Sequence, residues 1–204
     1  MGQAFRHAER YLSQLDPEYV GLFVEIGTSR NGDDGSTRII ADWAAKFDKS
    51  LWTVDMDIDN CNFVIDQNIP NLEVVNQTGE SYLEKFPRHI AYISFLYLDN
   101  FDWDWHPENT EDFVIEQQQR YRALGVEMNN VNCQRAHLRQ AELALPLLAD
   151  KSIVVCDDTW FNPHWGHYTG KSGAAAPFLL NHGFKVLYTE AHPEYGTILA
   201  RGLT

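Results

Sequence analysis

Three aspartates close two apolar runs of this chain. Ile93-Ser94-Phe95-Leu96-Tyr97-Leu98 runs into Asp99, and Ile153-Val154-Val155-Cys156 runs into Asp157-Asp158. Both runs read as buried strands of a parallel sheet, where the ends of neighbouring strands lie side by side and would bring the carboxylates together. Like charges at such range repel unless a cation neutralises them. Hard divalent ions take oxygen ligands of this sort, so Asp99, Asp157 and Asp158 are read as a metal site, with Mg²⁺ first and Mn²⁺ or Ca²⁺ behind it. Taken singly, each has a plainer reading: Asp99 capping a turn, Asp157 accepting from backbone donors, Asp158 facing water.

A second group of residues concerns a cofactor. Glu25-Ile26-Gly27-Thr28-Ser29 ends the apolar run Leu22-Phe23-Val24 and precedes Gly32, Gly35 and Ser36-Thr37. This is a strand entering a glycine-bearing turn and then a helix. The glycine lets backbone pass close to a ligand, and the helix-opening N–H groups can grip a polar one. Leu51-Trp52-Thr53-Val54 forms a second strand ending on Asp55, near the spacing at which a carboxylate meets a ribose. A dinucleotide fingerprint would need G-x-G-x-x-G. Here Thr28-Ser29-Arg30-Asn31 intervenes, and Asp33-Asp34 would repel a pyrophosphate. A carboxylate at Glu25 suits a cationic cofactor end, as in S-adenosylmethionine, which carries an ammonium and a sulfonium.

At these residues the chain resembles the class I S-adenosylmethionine-dependent methyltransferases, whose first motif runs acidic-x-Gly before the turn. Phe95-Leu96-Tyr97-Leu98-Asp99 and Val154-Val155-Cys156-Asp157-Asp158 resemble the metal-bearing strand ends of the cation-dependent O-methyltransferases of the catechol type. They are still more similar to a group acting on natural products and sugars, with an Asp-Asp-Thr triplet matched by Asp157-Asp158-Thr159. The resemblance spans most of the chain from Leu22 to Leu199 and is carried by motifs. It implies that Glu25 lies near the amino end of the cofactor, that Gly27, Thr28 and Ser29 form the turn beneath it, and that Asp55 holds its ribose. Gly79, Glu80 and Ser81 of Thr78-Gly79-Glu80-Ser81 would contact the adenine, a stretch that also reads as a helix N-cap. Asp99 would serve cofactor and metal alike. The catechol type has Asn where this chain has Asp158, and its catalytic lysine has no counterpart near Asp99. Another base is then needed.

The loop after Asp158 gathers Trp160, Phe161, His164, Trp165, His167, Tyr168 and Lys171, aromatic walls with a few polar groups, as a small-molecule pocket requires. Imidazole takes a proton near neutral pH, so His164 or His167 is the expected base, ahead of His106 and of His137, which most simply packs on a helix face.

These residues need a scaffold. Strands at Leu22–Ile26, Leu51–Val54, Leu72–Val75, Ile93–Leu98 and Ile153–Cys156 alternate with helical patterns such as Thr37–Phe47 and Ala136–Leu148. That alternation predicts one Rossmann-like α/β domain over residues 1–204, a mostly parallel twisted sheet with helices on both faces. Phe184–Tyr188 and Thr197–Ala200 are too close for a helix between them and predict a closing antiparallel hairpin. Phe5, Ala8, Tyr11, Leu12 and Leu15 predict an N-terminal covering helix. An insertion at about 102–135, holding Trp103, Trp105 and Phe113, is expected to cover the substrate pocket or to build a dimer.

A formal charge of −13 disfavours a phosphate backbone as partner, so a small-molecule substrate is expected and nucleic acid is not. No stretch of about 18 apolar residues occurs, and the N-terminus has no apolar leader, so no membrane partner is expected and the location is read as cytoplasmic. Cys61, Cys133 and Cys156 have no C-x-x-C spacing and read as reduced thiols. A homo-oligomer is open. Two other classes compete with methyl transfer: a nicotinamide-dependent oxidoreductase, opposed by the glycine spacing, and a non-catalytic methyltransferase-like module, which would need no aspartate cluster.

Overall fold

The computed structural model describes residues 4–15, 21–29, 32–88, 91–104, 112–191 and 193–203, without the side chains of residues 33, 112 and 113. In chain order the described elements are a short 3-10 turn and α1 (Glu9–Leu12), β1 (Gly21–Ile26), α2 (Ser36–Lys46), β2 (Leu51–Asp55), α3 (Ile58–Ile65), β3 (Leu72–Asn76), α4 (Gly79–Glu84) and β4 (Tyr92–Leu98). There follow α5 (Asp112–Ala123), α6 (Asn130–Ala144), β5 (Leu148–Asp157), β6 (Thr159–Asn162), β7 (His167–Gly170), α7 (Ala175–Asn181), β8 (Lys185–Glu190) and β9 (Gly196–Arg201).

Seven strands form one sheet in the order β3-β2-β1-β4-β5-β9-β8. The first five are parallel, while β9 runs antiparallel to both β5 and β8. This is the predicted α/β architecture, closing hairpin included. Both faces are covered, so the strands are apolar on both sides and their alternation sorts the core into two layers. Val24 and Ile26 of β1, Leu96 and Leu98 of β4, and Val154 and Cys156 of β5 pack toward α4, α6 and α7. Phe23, Phe95, Tyr97, Ile153 and Val155 face the N-terminal helical segment and α2. Each fully buried Phe or Leu contributes roughly 1.5–3 kcal/mol.

The order puts the ends of β1, β4 and β5 side by side at the centre of the sheet. Asp99 and Asp157 therefore emerge next to each other, as the strand pattern required. Two of the differences from the sequence reading bear on the site. Helix α6 begins earlier than Ala136, at Asn130, because the Asn129 side chain accepts from Asn132 N at 2.8 Å and caps it. The aromatic loop after Asp158 is a hairpin, β6 against β7. Its turn is held by Asn162, whose Oδ1 accepts from His164 N at 3.0 Å and Trp165 N at 3.2 Å, with Gly166 at φ +70°.

Candidate active site

The turn after β1 depends on Gly27, at φ +102°. A Cβ there would lie 2.4 Å from Asn100 N and 2.6 Å from the Asp99 carbonyl carbon, so only glycine lets β1 end flush against β4. Gly27 N donates to Val54 O and Asp99 N to Ile26 O, both at 2.9 Å. Thr28 N donates to Asp55 Oδ2 at 3.1 Å, Asn60 Nδ2 to the same oxygen at 3.0 Å, and Asp57 N to Oδ1 at 2.8 Å. Asp55 is thus oriented at the rim of the turn, and burial raises its pKa against those hydrogen bonds.

A cavity of about 630 Å³ opens over these strand ends. Gly27, Thr28, Ser29 and Asp55 border it on one side, Thr78, Gly79 and Glu80 on another, and Asp99, Asp157, Asp158 and Lys171 on a third. Most cofactor residues read from the sequence therefore share one space. Two do not reach it. Glu25 is fully buried on the α2 side, where Ser36 and Thr37 hydroxyls donate to it at 2.6 Å each and Thr53 at 2.7 Å. Burial pushes this carboxyl up to about 7. It braces the turn from behind and does not border the cavity, where the sequence reading expected it. Ser81 is spent in the α4 cap: its N donates to Thr78 Oγ1 at 3.2 Å, and its Oγ accepts from Lys85 at 3.1 Å.

The carboxylate cluster is assembled, and its centre is an ammonium. Lys171 Nζ lies 2.7 Å from Asp99 Oδ1, 3.1 Å from Asp158 Oδ2 and 4.0 Å from Asp157 Oδ2. Tyr97 OH donates to Asp99 Oδ2 at 3.2 Å, and Asp157 Oδ1 is buried without a hydrogen-bond partner. Burial, then the charges of Asp99 and Asp158, hold the Asp157 carboxyl well above the usual carboxylate range. Burial works to lower Lys171, but the surrounding carboxylates outweigh it and the group stays well above its ordinary value. Among the described residues no group of three His, Cys, Asp or Glu side chains has the arrangement of a metal site. A divalent ion at the centre would face the ammonium at contact range, so the residues as arranged do not fit the Mg²⁺ expected from the sequence. The repulsion among three carboxylates is answered by a lysine.

The hairpin is what delivers that lysine. Thr159 pairs with Gly170, which sets Asp158 opposite Lys171, and Lys171 N donates to Asp158 O at 3.0 Å. Asp158 sits at φ +44° and Gly170 at φ +90°, where a Cβ would lie 1.8 Å from Asp158 O. Ser172 N donates to Thr159 Oγ1 at 2.8 Å. Lys171 is 72 residues from Asp99 in sequence, so a search for a lysine close to Asp99 in the chain could not find it. The legible signal was a glycine and a lysine at the far end of the aromatic loop opened by Asp157-Asp158-Thr159.

The same hairpin removes the expected base. His164 and His167 are exposed at its turn end and do not border the cavity. His167 stacks on Trp165 with ring centroids 5.8 Å apart. Their location corrects the assignment of either as the base. His137 is instead fully buried behind the site, Nδ1 2.6 Å from Ser172 Oγ and Nε2 2.5 Å from Asn100 O. A carbonyl only accepts, so Nε2 carries the proton and Nδ1 accepts from the serine. His137 thus ties the segment after Lys171 to the segment after Asp99.

Burial pulls His137 down to about 4 from 6.5. Below pH 6.5 the unfolded chain takes up a proton that the folded chain refuses until about pH 4, so this residue costs stability across that window as pH falls, about 2 kcal/mol by pH 5. Glu25, with a raised folded value, acts in the opposite direction over part of the range. The comparison with His137→Gln isolates the imidazole: urea unfolding should show the wild-type advantage shrinking by about 2 kcal/mol between pH 7 and pH 5. A constant difference would mean the imidazole is not held neutral.

Within the insertion, α5 lies along the cavity through Gln117, Arg120 and Tyr121, and Leu124, just after it, and Trp103 border the cavity too. Arg120 donates to Asp57 Oδ2 at 2.5 Å and to Asn60 Oδ1 at 2.6 Å, and Asp102 N donates to Tyr121 OH at 2.7 Å. The helix is therefore fastened to the segment that orients Asp55. Trp105, His106 and Phe113 lie outside the described side chains. No helix among the described residues is long and apolar enough to cross a membrane.

No protein-family profile and no curated protein sequence matches the chain. Solved structures do. An rRNA methylase from Streptococcus thermophilus is 13% identical, with a TM-score of 0.53 and 98% of each chain covered. SMU.1697c from Streptococcus mutans, a chain assigned as a methyltransferase and solved in complex with S-adenosylhomocysteine, is 10% identical, with a TM-score of 0.53 over 98% of this chain and 97% of that one. MycE methyltransferase from the mycinamycin biosynthetic pathway, solved with Mg and S-adenosylhomocysteine, is 11% identical with a TM-score of 0.55; the match covers 98% of this chain and 48% of MycE. At these identities the likeness is one of fold, and that fold is the Rossmann-like fold of S-adenosylmethionine-dependent methyltransferases.

Proposed function

We propose that this chain transfers the methyl group of S-adenosylmethionine to an oxygen of a polar small molecule. The observation that carries the reading is that the Gly27 turn and Asp55 line one shared cavity with Asp99, Asp158 and Lys171. The cofactor's ribose meets Asp55, its backbone crosses Gly27 to Ser29, and its adenine lies against Thr78 to Glu80. Asp99 and Asp158 against one ammonium leave the cluster net negative even with Asp157 held toward its neutral form, which favours a cationic sulfonium over the pyrophosphate of a nicotinamide dinucleotide. The charge of −13 supports a small acceptor over an RNA backbone, although an rRNA methylase shares the fold.

Transfer is an in-line displacement. The acceptor O–CH₃ bond forms as the S–CH₃ bond breaks, the electron pair returns to sulfur to give the neutral thioether, and the acceptor's proton passes to Asp158. Asp99 and Asp158 both border the cavity and pair with Lys171, with side chains 19% and 16% exposed against 2% for Asp157, but Asp99 is also held by Tyr97 OH, which leaves Asp158 the freer carboxylate. The protein's contribution is mostly positioning.

Asp55→Ala should weaken S-adenosylmethionine binding by roughly 1–3 kcal/mol, since a charged hydrogen-bond acceptor is lost. Calorimetric affinity unchanged in that variant would remove Asp55 from the site. The activity itself is tested by mass spectrometry of a panel of polyhydroxylated acceptors incubated with the cofactor: a product heavier by one methyl, together with S-adenosylhomocysteine, is expected. Methylation of RNA but of none of the small acceptors would reassign the substrate.

A further inference from the structure

We infer that Lys171 is the built-in cation of this site and stands where a divalent ion would otherwise bind, so that acceptor positioning proceeds without a metal. The inference deepens the methyl-transfer reading and rests on it for the identity of the acceptor oxygen, but its geometric core stands alone.

Lys171 is not a surface lysine folded in by chance. Its side chain is 5% exposed, and Nζ is within 3.1 Å of both Asp99 and Asp158. The backbone on each side is fixed: Gln134 Nε2 donates to Gly170 O at 3.1 Å, Lys171 N to Asp158 O at 3.0 Å, and Ser172 is held by Thr159 and His137. Two positive-φ positions, Asp158 at φ +44° and Gly170 at φ +90°, bring the two strands of the hairpin together at this point, and only a glycine fits at the second. Displacing the ammonium would mean breaking both carboxylate contacts and leaving a charge in a closed setting.

An ammonium has three donors. Asp99 Oδ1 takes one as a hydrogen bond at 2.7 Å, Asp158 Oδ2 pairs with the charge at 3.1 Å, and Asp157, at 4.0 Å, is beyond hydrogen-bond reach. That leaves an N–H for an acceptor oxygen in the cavity that Lys171 borders. It can orient that oxygen and stabilise the charge that develops on it as the proton leaves for Asp158, which are the tasks a metal would perform.

The test is Mn²⁺ binding by the 204-residue chain, read by electron paramagnetic resonance and by thermal unfolding, with no acceptor needed. Wild-type protein should show no saturable Mn²⁺ site and no thermal shift. Lys171→Ala should acquire one site and be stabilised by the ion, and Lys171→Ala with Asp158→Asn should lose it again. One saturable Mn²⁺ site in the wild type, abolished by Asp158→Asn, would overturn the inference. So would a folded Lys171→Ala that binds no Mn²⁺. If Lys171→Ala fails to fold, the wild-type titration with its Asp158→Asn control decides alone. Failure to bind S-adenosylmethionine would sink the functional reading without altering any of these outcomes.

Discussion

Replacing Lys171 by Met is expected to cost about 3–5 kcal/mol of stability in urea unfolding at neutral pH. The two side chains have similar reach and the apolar stem would still pack. What disappears is the single positive charge among Asp99, Asp157 and Asp158, and removing one partner of a buried ion cluster leaves the others uncompensated. A typical total stability is about 5–15 kcal/mol, so such a loss would be plain in the midpoint. A loss under about 1 kcal/mol would match the size of an exposed ion pair and would mean that Lys171 is not seated among the carboxylates.

Gly27→Ala is expected to be comparably damaging, by about 2–5 kcal/mol, from a left-handed backbone costing roughly 1–2 and overpacking costing roughly 1–3. The atoms a methyl would strike are backbone atoms of Asp99 and Asn100, which cannot rotate away. Relief must come from moving the end of β1 relative to β4, and that shift separates the cofactor turn from the aspartates. S-adenosylhomocysteine affinity should therefore fall by more than tenfold in whatever fraction folds. A variant with wild-type affinity and midpoint would show that the turn is not under this constraint.

The sheet was legible because its strands are written in apolar runs of the right length, and the proximity of Asp99 and Asp157 followed from parallel strand order alone. Thr78 capping α4 was also visible in the sequence. Glu25 was misplaced through its side-chain direction. It shares a strand with Phe23, two residues earlier, and so points to the α2 face, where Ser36, Thr37 and Thr53 close on it, while the turn begins only after Ile26. The position of Lys171 could not be read, because it depends on Thr159 finding Gly170 across a hairpin whose register lies in neither segment by itself. Reading that stretch as an open aromatic loop also put His164 and His167 in the pocket. Their exposure follows from the tight turn at Asn162. No lysine near Asp99 was identified from the sequence; Lys171 reaches it from the residue after β7, as the cation of the cluster and not as the base.

Titration calorimetry of S-adenosylhomocysteine into the full chain bears most directly on the methyl-transfer reading, because it needs neither an acceptor nor a metal. One site per chain with micromolar affinity is expected, unaffected by a chelator and not displaced by NADH. Folded protein that takes up NADH and leaves S-adenosylhomocysteine unbound would contradict it.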